Sequence, residues 1–69
     1  MKIMINGESR EVDAEATLSE VVEQELPGAD ARRGVAVAVD HQVVRRSQWL
    51  TTILTEGAQI EIVTAVQGG

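Results

Sequence analysis

The chain offers few groups that could make or break a covalent bond. It contains no cysteine, which removes thiolate nucleophiles, thiolate metal sites and disulfides together. Its single histidine, His41, follows Asp40 between two short apolar runs, where a tight turn is expected. Histidine tolerates left-handed backbone there, and a lone imidazole without neighbours of matching kind makes neither a nucleophile–base pair nor a metal site. The eleven carboxylates fall on the outer face of a predicted helix, in turns and at alternate strand positions, as a solvated surface places them. No Gly-rich loop with a following Lys and Ser or Thr is present, nor GxGxxG after a strand, so nucleotide binding by this chain alone is not expected. Arg45-Arg46 is the one local basic pair, a candidate for docking a partner or an anion.

What remains is Gln67-Gly68-Gly69. Two successive glycines at a terminus are expected by chance in roughly one chain in two hundred, so the pair alone is only suggestive. A strand running to Val66 would project the residues after it outward. Three extended residues reach roughly 10 Å, enough to enter a narrow channel in another protein, and without Cβ atoms they fit where others clash. Val66, Gln67 and Gly68 are thus candidates for a segment inserted into a partner. The reactive group on such a segment is the Gly69 α-carboxylate. A carboxylate is a poor electrophile, and activation as a mixed anhydride with AMP requires a partner that handles ATP and Mg²⁺. The chain is then expected to be a protein co-substrate rather than an enzyme, with no cofactor of its own.

Something rigid must hold that segment. Ile3 and Ile5 alternate in the first residues, and Asn6-Gly7 is a strong two-residue hairpin signal because both residues tolerate positive φ. Glu8 to Val12 should return as a second strand. Thr17-Leu18-Ser19-Glu20 has the form of a capping box, and Leu18, Val21, Val22 and Leu26 make one apolar helical stripe until Pro27-Gly28 stops it. Gly28 to Gly34 reads as an exposed loop. Val35 to Val39 is so uniformly apolar that a well-covered strand is expected. Asp40-His41 turns it into a short strand, Gln42 to Val44. Arg45 to Leu50 should bring Trp49 onto the core, Glu56-Gly57 marks a further turn, and Gln59 to Val66 alternates as a last strand. The order strand, strand, helix, strand, short strand, strand fits an α+β fold in which a mixed sheet of four to five strands curls over one helix. Residues 1–66 would form one domain and 67–69 a flexible diglycine tail.

Composition narrows the function classes. Sixty-nine residues, 43% of them hydrophobic, allow one core and little room for a substrate cavity, with stability of about 3–10 kcal/mol. A net charge of −5 and a single aromatic residue argue against nucleic acid, which calls for cationic clusters and stacking platforms. Net acidity suits a partner with a basic docking face. No apolar run approaches the roughly 20 residues of a membrane span, and no signal peptide is recognisable, so a cytoplasmic protein is expected.

The sequence resembles the ThiS family of sulfur carriers of thiamin biosynthesis, over nearly its whole length. The likeness is densest in Val35 to Val44, in Arg46-Ser47-Gln48-Trp49 and in Glu56 to Gly69; the Asn6-Gly7 hairpin and the Thr17 helix start agree as well. The resemblance implies a ubiquitin-like β-grasp fold. It also implies that a ThiF-like adenylyltransferase activates the Gly69 carboxylate as an acyl-adenylate using ATP and Mg²⁺. A persulfide donor would then supply sulfur, leaving a thiocarboxylate that serves thiazole synthase (ThiG). The sequence departs from the family's habit in three places: Arg45 stands where proline is frequent, Ala58 where aspartate is common, and Asp40-His41 where Asn-Gly is usual. The same tail could serve molybdopterin, cysteine or tRNA thiolation, or a ubiquitin-like modifier joined to lysines. A plain β-grasp interaction module, with an inert diglycine, is the alternative from a different class.

Overall fold

A computed structural model describes residues 1–64. Strand β1 (Lys2–Ile5) and strand β2 (Glu8–Glu11) form the first hairpin, followed by helix α1 (Leu18–Glu25), β3 (Val35–Val39), β4 (Gln42–Val44) and β5 (Gln59–Thr64). The five strands make one sheet in the order β2-β1-β5-β3-β4. All neighbours are antiparallel except β1 and β5, which pair in parallel with Met4 opposite Gln59 and Ile5 opposite Ile60. This is the mixed sheet with one helix expected from the element order. The expected run of the last strand to Val66, and the division at residue 66, lie outside the described residues.

Each turn expected from sequence has its physical cause in view. Asn6 and Gly7 have φ of 50° and 83°, the pair of positive values that a two-residue turn needs to match strand twist. Beyond β2, the Val12 N–H donates to the Met1 carbonyl at 2.8 Å and the Met1 amino group to the Val12 carbonyl at 2.9 Å, so the hairpin continues one rung past its assigned strands. At the start of α1 the Glu20 N–H donates to Thr17 Oγ1 and the Thr17 N–H to Glu20 Oε1. That reciprocal pair satisfies two backbone or side-chain needs at once. The Leu18 N–H donates to the Thr52 carbonyl and the Leu54 N–H to the Ala16 carbonyl, which pin the helix start to residues 52–54.

Leu18, Val21 and Val22 present the buried stripe of α1 to Ile3, Ile5, Val37 and Ile60 on one face of the sheet. Trp49, Leu54 and Ala58 close the same cluster. Trp49 arrives on a 3₁₀ turn, Arg46–Thr51, and its indole N–H donates to the Val44 carbonyl at 2.9 Å, so its one polar atom is satisfied where the ring is buried. A second 3₁₀ turn, Asp30–Arg32, lies within the segment read from sequence as a loop.

β3 differs from expectation. It sits between β5 and β4 and is hydrogen-bonded on both edges, but of its five residues only Val37 is buried and Ala36 is exposed. The reason is stoichiometric: the single helix covers one face of the sheet, and the other face, where Ala36 and Ala38 lie, stays open. Uniform hydrophobicity in β3 therefore reflects small residues on the open face rather than cover on both.

Candidate functional site

The sequence assigns its chemistry to Gly69, with Val66, Gln67 and Gly68 as the inserted segment. All four lie outside the described residues, and the describable part of the site is the platform from which they are carried. β5 is that platform. On one edge it pairs with β3 from Ile60 opposite Val39 to Thr64 opposite Val35. On the other edge β1 accompanies it only as far as Ile5 opposite Ile60.

Beyond that point a side chain replaces the missing strand. The Ile62 N–H donates to Asn6 Oδ1 at 2.9 Å, and Asn6 Nδ2 donates to the Ile62 carbonyl at 3.2 Å. The amide of Asn6 thus acts as one more peptide unit of β1. Its left-handed backbone turns the main chain away while aiming the side chain along the sheet. Asp40 does related work on the opposite edge: its N–H donates to the Gln59 carbonyl at 2.8 Å and its Oδ1 accepts from the Gln59 N–H at 3.0 Å. Asp40 and His41 have φ of 49° and 71°, so this turn has the backbone of an Asn-Gly turn without the glycine. β5 is clamped by turn side chains on both edges.

His41 is where a turn residue was expected, exposed, with Nδ1 3.7 Å from Glu61 Oε1; such a surface pair contributes little. Among the described residues no group of three or more His, Asp or Glu side chains is placed to hold a metal. A shallow groove of about 450 Å³ is lined by Met4, Asn6, Gly7, Gln59, Ile60 and Glu61. Next to it on the open face, Val43 and Val63 are 77% and 62% exposed and flank Ala36 and Ala38. No helix among the described residues is long and apolar enough to cross a membrane.

The candidate docking pair divides. Arg45 is exposed at the head of the 3₁₀ turn. Arg46 lies with its guanidinium carbon 5.0 Å from the centre of the Trp49 ring and donates to the Arg32 carbonyl, which ties two segments together as well as leaving a charge at the surface. Arg32 in turn donates to the Leu26 carbonyl at 2.8 Å, at the negative end of α1 where a cation is favoured. Sequence reading did not bring Arg32 and Arg33 to this place, since no local pattern connects them to Arg46. Arg10, between Glu8 and Glu25, has its pKa raised first by the hydrogen bond to Glu8 and then by Glu25. It is charged at any relevant pH and links β2 to α1.

A five-stranded mixed sheet folded over one helix, with its last strand central and leading to the proposed reactive segment, defines the ubiquitin-like β-grasp class. The family model of the ThiS family matches residues 3–69, and the chain belongs to that family. It is 34% identical over 70 residues to the sulfur carrier protein ThiS of Escherichia coli, with the whole of both chains covered. It is 38% identical over 69 residues to a thiazole synthase of Paramagnetospirillum magneticum, of which it spans 20%. The crystal structure of the thiamine biosynthesis protein ThiS from Geobacter metallireducens superposes over all of both chains with a TM-score of 0.78 at 25% identity. The solution structure of a thiamine biosynthesis protein from the same organism gives 0.71, also at 25% identity, covering all of this chain and 88% of that one.

Proposed function

We propose that this protein carries sulfur for thiazole formation in thiamin biosynthesis, as a thiocarboxylate on Gly69. The observation that carries the reading is the end-to-end likeness to a protein named as a sulfur carrier, joined to a family match that runs through Gly69. In the first step a carboxylate oxygen of Gly69 attacks the α-phosphorus of ATP in a ThiF-like adenylyltransferase, and pyrophosphate leaves. The partner supplies Mg²⁺ and the phosphate contacts. The terminal sulfur of a persulfide donor then attacks the acyl carbon and displaces AMP. Reductive cleavage of the resulting disulfide by a thiol leaves the thiocarboxylate. The absence of cysteine suits this role, since no side-chain thiol competes for the sulfur.

Thiazole synthase is the proposed acceptor. A thiazole synthase that contains a stretch similar to this entire chain supports that pairing over molybdopterin, cysteine or tRNA thiolation, because a carrier and its acceptor gain effective concentration when joined. The open face bearing Val43 and Val63 favours, as a second reading, a β-grasp module that binds through its sheet with an inert diglycine.

Incubation with ATP, Mg²⁺, the cognate adenylyltransferase, a persulfide donor and a thiol separates the two. The expected result is a mass gain equal to exchange of one oxygen for sulfur, located on the fragment containing Gly69. Removal of Gly69 should leave the thermal transition unchanged and abolish the gain. An unmodified wild-type chain, with an adenylyltransferase that modifies another carrier, would return the argument to the interaction module.

A further inference from the structure

Four of the six cationic side chains of this acidic protein are gathered at one end of the sheet. β4 runs back along β3 with Val44 opposite Val37, which brings Arg45 and Arg46 towards the start of β3 at Val35. Arg32 and Arg33 precede that same start, and Arg46 donates to the Arg32 carbonyl. Among the described residues, the ion pair that these four arginines make is that of Arg33 Nε with Asp30, at 3.8 Å. Both partners of that pair are largely exposed, so it holds Arg33 weakly.

This is also the end at which β5 finishes its pairing, with Thr64 opposite Val35. Residue 65 is bonded to Thr64, so Gly69 is tethered here by five residues that extend no further than about 17 Å. A protein that closes around Gly69 is thereby brought to the end of the sheet that carries the arginines. At contact the local charge decides: from Val35 to Asp40 β3 runs about 16 Å, two Debye lengths at physiological salt. Asp40, at the far end, is therefore screened from a partner seated here; Glu61, opposite Ala38, is about 10 Å from the start of β3 and has its carboxylate 3.7 Å from His41 Nδ1.

We propose that this arginine pole is a docking surface for a protein whose channel for the Gly69 segment is rimmed with carboxylates. The inference rests on the carrier reading above, and it reverses, at the contact itself, the basic partner face that the net charge suggests. Arg33 and Arg45 are the steering charges, both exposed. Arg46 is already oriented by Trp49 and the Arg32 carbonyl, so it loses little rotamer freedom on contact. Arg32 is committed to the Leu26 carbonyl and is not part of the recognition.

The test uses the full chain and the cognate adenylyltransferase, with association rates measured across a salt series, and adenylation followed in parallel. Arg33→Glu with Arg45→Glu should slow association about tenfold at low salt, with the difference from wild type closing as salt rises. KM for the carrier should rise while kcat at saturation holds, since Gly69 is untouched. Glu23→Lys, on the outer face of α1, should change the rate less than about twofold. Equal rates for wild type and the double variant, or a faster variant, overturn the pole while adenylation of wild type leaves the carrier reading standing. Wild type that binds with the expected salt dependence but is never adenylated overturns the carrier reading alone. Wild type that does not bind overturns both.

Discussion

Asn6 shows how one residue can serve two structures at once. Its backbone makes the left-handed corner of the first hairpin, and its amide extends β1 by a rung to hold Ile62. Asn6→Gly separates these roles, because glycine keeps the positive φ at no steric cost while removing both hydrogen bonds. Each solvent-accessible bond contributes about 0.5–1.5 kcal/mol, and glycine recovers part of the loss by relieving the corner, so the net destabilisation should be about 1 kcal/mol. The more telling readout is local: hydrogen exchange at the Ile62 amide should accelerate beyond what the global change accounts for, while the main-chain amide of residue 6, which donates to the Ile60 carbonyl at 2.8 Å, stays protected. Equal loss at both amides would mean that the turn itself had failed and that the side chain is not a separate brace.

At the scale of elements, the segment from β4 into the 3₁₀ turn holds a vacancy for a different residue. Arg45 has φ of −64°, the value a proline ring imposes, and it follows Val44, whose extended strand backbone is what proline requires of its predecessor. A two-residue turn closes with a hydrogen-bonded pair, here Val39 and Gln42, and such pairs alternate along the ladder. Val37 and Val44 are then bonded, and the Arg45 N–H points away from β3. The turn uses only the Arg45 carbonyl, which accepts from the Gln48 N–H at 2.8 Å. Arg45→Pro should raise stability by about 0.4–1 kcal/mol in denaturant unfolding by restricting the unfolded chain, while removing one charge from the docking pole. A fall in stability would show that the Arg45 N–H has a partner.

The same elements show what a sequence can and cannot convey. Hairpin corners, the Thr17 capping box and the buried stripe of α1 are local patterns of a few residues, and each stands where it was expected. The open face of β3 was not legible, because cover depends on how many helices the whole chain supplies. Nor were the clamps of Asn6 on Ile62 and Asp40 on Gln59, or the meeting of Arg32 with Arg46, since they join segments whose proximity only the sheet order creates. The arginines were legible as residues; their common position was not. For Gly69 and the residues before it, the chemistry came from the functional group and the family likeness, and β5 is the part of their setting that geometry describes.

For the whole molecule the governing fact is a single small core. α1, three strands and the Trp49 turn share one buried cluster, with Val44 of β4 packed against it, so no part of it can loosen alone for long. Leu18 is fully buried at its centre, and Leu18→Ala should cost about 2–5 kcal/mol out of a total of about 3–10. That is enough to bring unfolding close to working temperature. Urea titration followed by Trp49 fluorescence should show one transition, displaced to lower urea, with far-UV circular dichroism falling on the same curve. Under the carrier reading, adenylation should track the folded fraction: near wild type in the cold, where Leu18→Ala is still folded, and lost in step with the fluorescence on warming. The residues that react are unaltered in this variant, so the coincidence of the two curves would measure how far recognition belongs to the folded body. Activation that persisted above the transition would mean that the Gly69 segment is recognised by itself, and the arginine pole would then have no docking to perform.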